Sequence, residues 1–150
     1  MAKQEADRIC VSCRNNDLLK GPYSEEDAPL GLNHAENKEK FILAMGLGYE
    51  KPREIVNKYS AGLTLRTAIK TADEAFMAAA LLGTLTSDAD INAKANFSDV
   101  AAYAEKCADT GFDILWEMID DAEGDEELLE RRILQKMDLW YLQYVENDGL

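Results

Sequence analysis

The feature that most constrains the fold is an apolar stripe between residues 98 and 121. Small and aliphatic side chains recur there at intervals of three and four residues, the spacing of one face of an α-helix. A helix with such a face needs other helices to cover it, so the stripe predicts a helical bundle. Gly111, in the middle, predicts either a close contact with another helix or a break between two helices. The stripe comprises Val100, Ala104, Cys107, Ala108, Gly111, Leu115, Met118 and Ile119.

A second helix is predicted over residues 37–47, with Asn37 as its N-cap. Gly48 is expected to end it in the left-handed conformation, which glycine adopts without steric cost. Pro52 follows a few residues later, where proline is common after a helix end. Because proline suits the first turn of a helix, a short helix is also predicted over residues 53–59.

Two more helix starts are visible in the sequence. Residues 71–74, Thr-Ala-Asp-Glu, match a capping box, and the apolar run after them predicts the central buried helix. Ser98 is expected to cap the striped helix and Asp125 the last one. The fold prediction is therefore an all-α single domain over residues 1–150, a bundle of about five helices with a partly irregular segment at 1–35.

Charge is distributed unevenly along the chain. The net charge is −13, yet residues 51–70 carry five basic and one acidic side chain, whereas residues 98–150 carry four basic and 15 acidic ones. A basic island in an acidic chain can dock an anion or an acidic partner, although ordinary solvated side chains give the same pattern. The candidate contact residues for a partner or anion are Tyr49, Lys51, Arg53, Lys58 and Arg66.

The acidic part of the chain supports a different hypothesis. Residues 113–130 are dense in carboxylates, and an acidic face can imitate a DNA backbone and occupy a nucleic-acid-binding enzyme. Acidic surfaces also serve solubility alone, so both interpretations stay open.

Motifs for metal binding or catalysis are incomplete. Cys10 and Cys13 form a C-x-x-C without the second ligand pair of a structural zinc site, and two thiols packing an N-terminal element explain it as well. Residues 88–99 partly match a calcium loop but carry Ala93 where a glycine is required. His34 is the only histidine and has no nucleophile context. No catalytic residue, metal site or cofactor is predicted.

Compartment and assembly are predicted from simpler features. The sequence has no run of 18 apolar residues and no apolar segment near its start, so no membrane span or secretion signal is expected. The predicted compartment is the cytoplasm, where thiols stay reduced. Trp116 and Leu139 fall off the apolar stripes of their helices. Their predicted exposure suggests a homo-oligomer or another partner contact.

Four blocks of sequence carry a family resemblance. They are RNNDLL (14–19), NKEKFILAMGLGY (37–49), LRTAIKTADEAFMAAALL (65–82) and VAAYAEKCADTGFDILWEMI (100–119). Together they resemble small accessory proteins encoded beside bacterial anti-phage defence genes, notably those associated with Dnd-type DNA phosphorothioation. The matching blocks are helix-packing and turn patterns, and none is a catalytic motif.

The resemblance implies a non-enzymatic, antiviral accessory subunit that works beside larger ATPase or nuclease subunits of a defence complex. DNA is a further expected contact of that complex. The resemblance also singles out the turn around Tyr49 and the side chain of Arg66, which are the special or polar positions inside the matched blocks. The Cys-x-x-Cys segment and residues 21–36 lie outside the pattern.

Overall fold

Five α-helices form the described part of the protein. The computed structural model describes residues 7–49, 51–82 and 96–147. The predicted all-α fold of about five helices is confirmed, with a two-residue antiparallel strand pair, β1 (Arg8–Ile9) and β2 (Thr64–Leu65), and short 3-10 turns in the connections. The helices are α1 (Cys13–Lys20), α2 (Asn37–Leu47), α3 (Thr71–Leu82), α4 (Phe97–Ala122) and α5 (Glu126–Asn147).

Helix α4 is the centre of the fold. Its 26 residues carry the apolar stripe, and α2 packs along it most extensively, followed by α3 and α5. The prediction that the helix after residues 71–74 is the central buried one is wrong. Helix α3 buries one face, and Phe76 on its other side is half exposed. Side chains of α4 such as Ala104, Phe112 and Leu115 are fully buried instead.

The crossing of α2 and α4 depends on two glycines. A Cβ on Gly111 would overlap the carbonyl oxygen of Ala44, and a Cβ on Gly48 would overlap that of Cys107. Gly111 therefore marks a close helix contact within one continuous helix. Gly48 ends α2 with φ of −97°, so the predicted left-handed conformation is wrong. Glycine is needed there for space beside α4.

The predicted helix caps are displaced by one or two residues. Glu36, not Asn37, is the N-cap of α2. The capping box was expected to join Thr71 and Glu74. Instead, the carboxylate of Asp73 accepts the amide of Lys70, one residue earlier in the chain. At the start of α3 the shift arises because neighbouring polar side chains compete for the same free amides.

The cap of α4 also differs from the prediction. Asn96, and not Ser98, accepts the amide of Asp99 at the start of α4. The predicted cap of the last helix is confirmed, because Asp125 accepts the amide of Leu128.

Residues 53–59 do not form the predicted helix. They run as an irregular segment in which Asn57 adopts a positive φ of 55°. The backbone of this segment pairs with the chain around Ser12, and its side chains contact α4. These tertiary contacts outweigh the local helix signal of Pro52.

Trp116 is buried, so its predicted exposure is wrong. Its ring stacks on Tyr23 at 4.3 Å between centroids, which fills the gap between α4 and the loop after α1. The side chain of Leu139 and the calcium-like residues 88–95 lie outside what the structure describes. No helix among the described residues has the length and apolar character needed to cross a membrane.

Candidate functional site

An irregular segment of residues 51–58, hereafter the strap, lies along the outside of α4. The hydroxyl of Thr110 donates to the carbonyl of Lys51 at 2.5 Å, and the amide of Arg53 donates to the carbonyl of Lys106. The ammonium of Lys106 also pairs with Glu54 at 2.9 Å. Successive contacts at residues 51, 53 and 54 therefore attach the strap to consecutive turns of α4.

The other edge of the strap is attached to the N-terminal segment. The amide of Cys13 donates to the carbonyl of Asn57 at 2.7 Å, and the amide of Tyr59 donates to that of Val11 at 2.8 Å. Ser12 and Lys58 form an isolated antiparallel bridge between these two bonds. The strap is thus fixed on two sides, although it contains no regular secondary structure.

The side chain of Arg53 makes three hydrogen bonds to α4. Its Nε donates to the Asp109 carboxylate at 2.6 Å, and its Nη2 donates to the Asp109 carbonyl at 2.9 Å. The same Nη2 reaches the carboxylate of Asp113, which Arg14 also binds, at 2.7 Å. Because the Asp109 side chain is only 7% exposed, this pair is screened by water less than a surface ion pair.

Asp109 also joins the strap to helix α1. Its second carboxylate oxygen accepts from the side-chain amide of Asn15 at 3.2 Å, and the carbonyl oxygen of Asn15 accepts from Trp116 at 3.0 Å. Asn15, Asp109 and Trp116 are buried, and these bonds satisfy their polar atoms inside the protein. Three separate parts of the chain, α1, the strap and α4, meet in this network.

Glu105 forms a second buried connection one turn earlier on α4. One carboxylate oxygen accepts from the amide of Cys10 at 2.6 Å, and the other pairs with Lys58 at 3.1 Å. Burial raises the pKa of the Glu105 carboxyl above its ordinary value, while the Cys10 amide and the Lys58 charge partly offset that rise. Glu105 therefore holds both the N-terminal segment and the strap against α4.

The structure brings together part of the predicted contact surface. Lys51, Arg53 and Lys58 all lie on the strap, and half-buried Tyr49 lies two residues before its start. Arg66 lies elsewhere: its guanidinium stands 4.2 Å from the ring centroid of Phe97, at the first residue of α4. Phe97 precedes Asp109 by 12 residues, so the helix rise separates Arg66 from the Arg53 pair by roughly 18 Å along α4.

Sequence reasoning missed several residues of this surface. Val56 is 74% exposed at the outer side of the strap, between Arg53 and Lys58. Lys136 of α5 lies near this surface: burial first, and the neighbouring charge of Lys51 second, lower the pKa of its ammonium. A lone valine in a charged segment gives no sequence signal, and the proximity of residues 51 and 136 follows only from the packing of α5.

The structure offers small pockets at the strap and at the α4–α5 turn. A pocket of about 120 Å³ lies beneath the strap and is lined by Glu54, Ile55, Lys58, Ala102, Glu105 and Lys106. Another of about 180 Å³ lies beside the turn after α4. Both are well below the size of roughly 300 Å³ at which small-molecule sites begin.

The cysteines are free thiols in the structure. Cys10 and Cys107 are buried and Cys13 is half-buried, and burial raises the pKa of the Cys10 thiol. A raised pKa keeps a thiol protonated and unreactive. Among the described residues, no group of three or more histidine, cysteine, aspartate or glutamate side chains is placed to hold a metal ion.

The carboxylates around the α4–α5 turn point mainly to solvent. Glu123 at the end of α4 adopts a left-handed φ of 49°, and the chain then reverses into α5. Glu126 is also bonded within the protein, because its carboxylate accepts the amide of Leu30 at 2.7 Å. The exposed acidic side chains here are Glu117, Asp120, Asp121, Glu123, Asp125, Glu126, Glu127 and Glu130.

Comparison with known proteins adds no relative to this description. No family model, curated protein or solved structure matches the chain.

Proposed function

We propose that the protein is a non-enzymatic accessory subunit of a prokaryotic anti-phage defence complex in the cytoplasm, where it binds larger ATPase or nuclease subunits and contacts DNA. The family resemblance supplies the defence context. The polar groups at the centre of the fold favour an interaction role, because Asn15, Asp109 and Glu105 are occupied with bonds inside the protein. A reacting group would need to be available to a substrate.

The observation that carries this proposal is the shape of the strap. It is held on both sides by bonds to α4 and to the N-terminal segment, yet Lys51 and Val56 are exposed. The side chains of Arg53 and Lys58 are paired with α4 and remain 43% and 48% exposed. An exposed segment that is already ordered loses little conformational entropy when a partner binds. The strap carries three basic side chains and one exposed carboxylate, Glu54, so its net positive charge around an exposed valine suits an acidic partner surface with a small apolar centre.

Substitutions that avoid the internal network test this surface most cleanly. Arg53 is a poor choice for charge reversal, because a glutamate there would face the buried carboxylate of Asp109. The double variant Lys51→Glu/Val56→Asp changes two exposed side chains and leaves the bonds of Arg53 and Lys58 in place. The matched control is Leu134→Asp, which alters another exposed apolar side chain, on α5.

The measurement is purification of tagged protein from its native host, with mass spectrometry of the proteins that co-elute. Half of each sample is treated with nuclease. We expect a defence ATPase or nuclease to co-elute with the native protein and the control, and to be lost from the double variant. Loss after nuclease treatment would assign the contact to DNA. Equal recovery with the double variant would exclude the strap as the contact surface.

A second candidate function is inhibition of a nucleic-acid-binding enzyme by DNA mimicry. The observation that favours it is the exposed acidic cluster at the α4–α5 turn, which two helix ends assemble on one corner. This function predicts salt-sensitive binding to a basic nuclease and no binding to DNA. Neutralising Asp120, Asp121, Glu126 and Glu127 should then restore nuclease activity, and full inhibition by that variant would contradict the hypothesis.

A further inference from the structure

The cavity beside the α4–α5 turn, hereafter the turn cavity, combines an apolar part with an acidic one. Its volume is about 180 Å³. The apolar part of its lining consists of buried Ala122 and Leu129, with half-buried Ile119 and Pro29 beside them. A cavity of about 150 Å³ accommodates a molecule the size of benzene, so the turn cavity has room for one short aliphatic chain.

The acidic part of the lining is exposed and consists of Asp27, Asp125 and Glu126. Within the described part of the chain, none of these three carboxylates forms an ion pair. The buried carboxylates Glu105 and Asp109, by contrast, are paired with basic side chains of the strap. The charge at the turn cavity is therefore not neutralised by the protein itself.

The sequence around the turn cavity also lacks cations. Residues 117–130 contain eight acidic side chains and neither lysine nor arginine, and residues 24–36 contain four acidic side chains and again neither. Arg131, the first basic residue of α5, is paired with Glu127 outside the lining. Because the C-terminus of α4 and the N-terminus of α5 meet here, their opposite helix dipoles partly cancel, and the carboxylates set a negative local potential.

The two walls of the turn cavity are fixed to each other. The Glu126 carboxylate accepts the amide of Leu30 at 2.7 Å, which holds the segment with Asp27 against α5. Asp125 accepts the amide of Leu128 and fixes the first turn of that helix. A carboxylate has two acceptor oxygens, so both groups can accept a further bond. Since the lining is ordered in advance, a ligand loses little affinity to ordering of the site.

We propose that the turn cavity is a binding site for a primary alkylammonium group. The aliphatic stem packs against Ile119 and Leu129, where its apolar surface is removed from water. The ammonium, with three N–H donors, binds the carboxylates of Asp27, Asp125 and Glu126. A compact ion would match only the carboxylates, and these are not grouped to hold a metal ion among the described residues.

The alkylammonium belongs either to a free diamine or to a lysine side chain of a basic partner, because both join an ammonium to a flexible aliphatic stem. The site shares no residue with the strap and does not depend on its proposed role. It also differs from DNA mimicry, since it requires the cavity and not merely a high density of carboxylates.

Amide NMR of the full-length protein tests the site. Uniformly ¹⁵N-labelled protein is titrated with cadaverine and, in a second arm, with the peptide acetyl-Gly-Lys-Gly-amide, at constant ionic strength. Gly124 lines the cavity and the Leu30 amide is bonded to Glu126, so both resonances report on it. We expect saturable shifts of these amides in at least one arm, and the arm with tighter binding identifies the source of the ammonium.

Ammonium chloride and pentanol are the control ligands, because each carries one half of the proposed group. Both should bind far more weakly than the better alkylammonium ligand. Shifts that stay linear in both alkylammonium arms would refute the proposal. Equal binding of ammonium chloride would also refute it, since the apolar part of the cavity would then contribute nothing.

The lining carboxylates are tested by the triple variant Asp27→Asn/Asp125→Asn/Glu126→Gln. The amide side chains keep an oxygen acceptor for the Leu30 and Leu128 amides, and asparagine caps a helix as well as aspartate does. We expect the affinity for the better ligand to fall by about tenfold or more, as for a lost charge-assisted bond.

The matched control is Asp120→Asn/Asp121→Asn/Glu123→Gln, which removes the same charge from the same corner but outside the lining. Its affinity should fall by less than about threefold, because salt screens charges that do not contact the ligand. Equal weakening in the two triple variants would show that general charge, and not the turn cavity, attracts the ligand, and would overturn the proposal.

Discussion

At the scale of single residues, the buried carboxylates Asp109 and Glu105 are each bonded to groups from other parts of the chain. Asp109 contacts Arg53 and Asn15, and Glu105 contacts Lys58 and the amide of Cys10. Each carboxylate therefore serves as a junction between α4 and other parts of the chain. Removing one partner should cost more than a surface ion pair, because the remaining charge stays buried.

Arg53→Met tests this argument for Asp109. The variant leaves a carboxylate that is 7% exposed with only Asn15 as a side-chain partner. Since Arg53 itself is partly solvated, we expect the free energy of unfolding to fall by about 1–3 kcal/mol. Arg131→Met, which removes a solvent-exposed pair with Glu127, should cost less than about 0.5 kcal/mol. Urea unfolding of both variants measures the difference, and equal losses would contradict the argument.

Glu105 makes a prediction about pH. Burial raises its folded pKa above the ordinary value of 4.5, so the folded protein holds this proton more tightly than the unfolded chain. Its contribution to stability is therefore greatest below that ordinary value, and it declines as the pH rises from there through the raised folded pKa.

The variant Glu105→Gln keeps an acceptor for Cys10 and cannot ionise. Its free energy of unfolding should rise relative to the native protein as the pH increases across this window. Chemical unfolding at several pH values measures both proteins. A difference that is constant with pH would show that Glu105 titrates alike in the folded and unfolded states.

At the scale of elements, the contact between α2 and α4 is set by backbone proximity. Gly48 and Gly111 approach the facing backbone so closely that any Cβ would overlap a carbonyl. Strain of this kind cannot be relieved by a rotamer change, because the obstacle is the main chain of the neighbouring helix.

Three alanine variants distinguish this contact from helix propensity. Gly111→Ala should lower the free energy of unfolding by about 3 kcal/mol or more through overpacking, and Gly48→Ala should behave similarly. Gly46→Ala, also in α2, meets open space and should stabilise the protein by up to about 1 kcal/mol. Thermal unfolding measures all three. A stabilising Gly111→Ala would disprove the close crossing.

The elements also show what sequence alone can predict. The stripe of α4 was predictable because helical spacing of apolar residues directly reports a buried face. The predicted bounds of α2 also agree with the structure, although the Asn37 cap and the left-handed Gly48 on which they rested are not observed. The strap was not predicted, since Pro52 favours a helix locally, and only distant partners such as Asp109 and Glu105 hold residues 51–58 in an irregular conformation.

The candidate site was less predictable than the fold. Lys51, Arg53 and Lys58 could be identified as a basic island, but their partners lie more than forty residues away in the sequence. Trp116 was expected at the surface because it falls off the apolar stripe. Trp116 is buried because Tyr23 stacks on it, and Tyr23 lies in a connecting segment whose position cannot be predicted from sequence periodicity.

At the scale of the whole molecule, charge repulsion opposes folding. The net charge is −13, and eight exposed carboxylates surround the α4–α5 turn. Salt screens exposed charges more effectively than buried pairs such as Arg53–Asp109. We therefore expect the melting temperature to rise by a few degrees as sodium chloride is increased from low to physiological concentration.

The matched variant for this prediction neutralises Asp120, Asp121, Glu123 and Glu127 as the corresponding amides. It should melt at a higher temperature than the native protein at low salt and respond less to added salt. Calorimetry of both proteins across a salt series measures the effect. A melting temperature that falls with salt would mean that ion pairs outweigh repulsion in the whole molecule.

The attachment of the strap to α4 also has a consequence during synthesis. Residues 51–58 leave the ribosome well before residues 105–113, to which they bind, and translation proceeds at about 5–20 residues per second. For several seconds the nascent chain therefore contains the strap residues but lacks the part of α4 to which they bind. A partner that recognises the ordered strap would therefore not bind nascent chains that lack α4. It would assemble only with protein in which α4 has been synthesised.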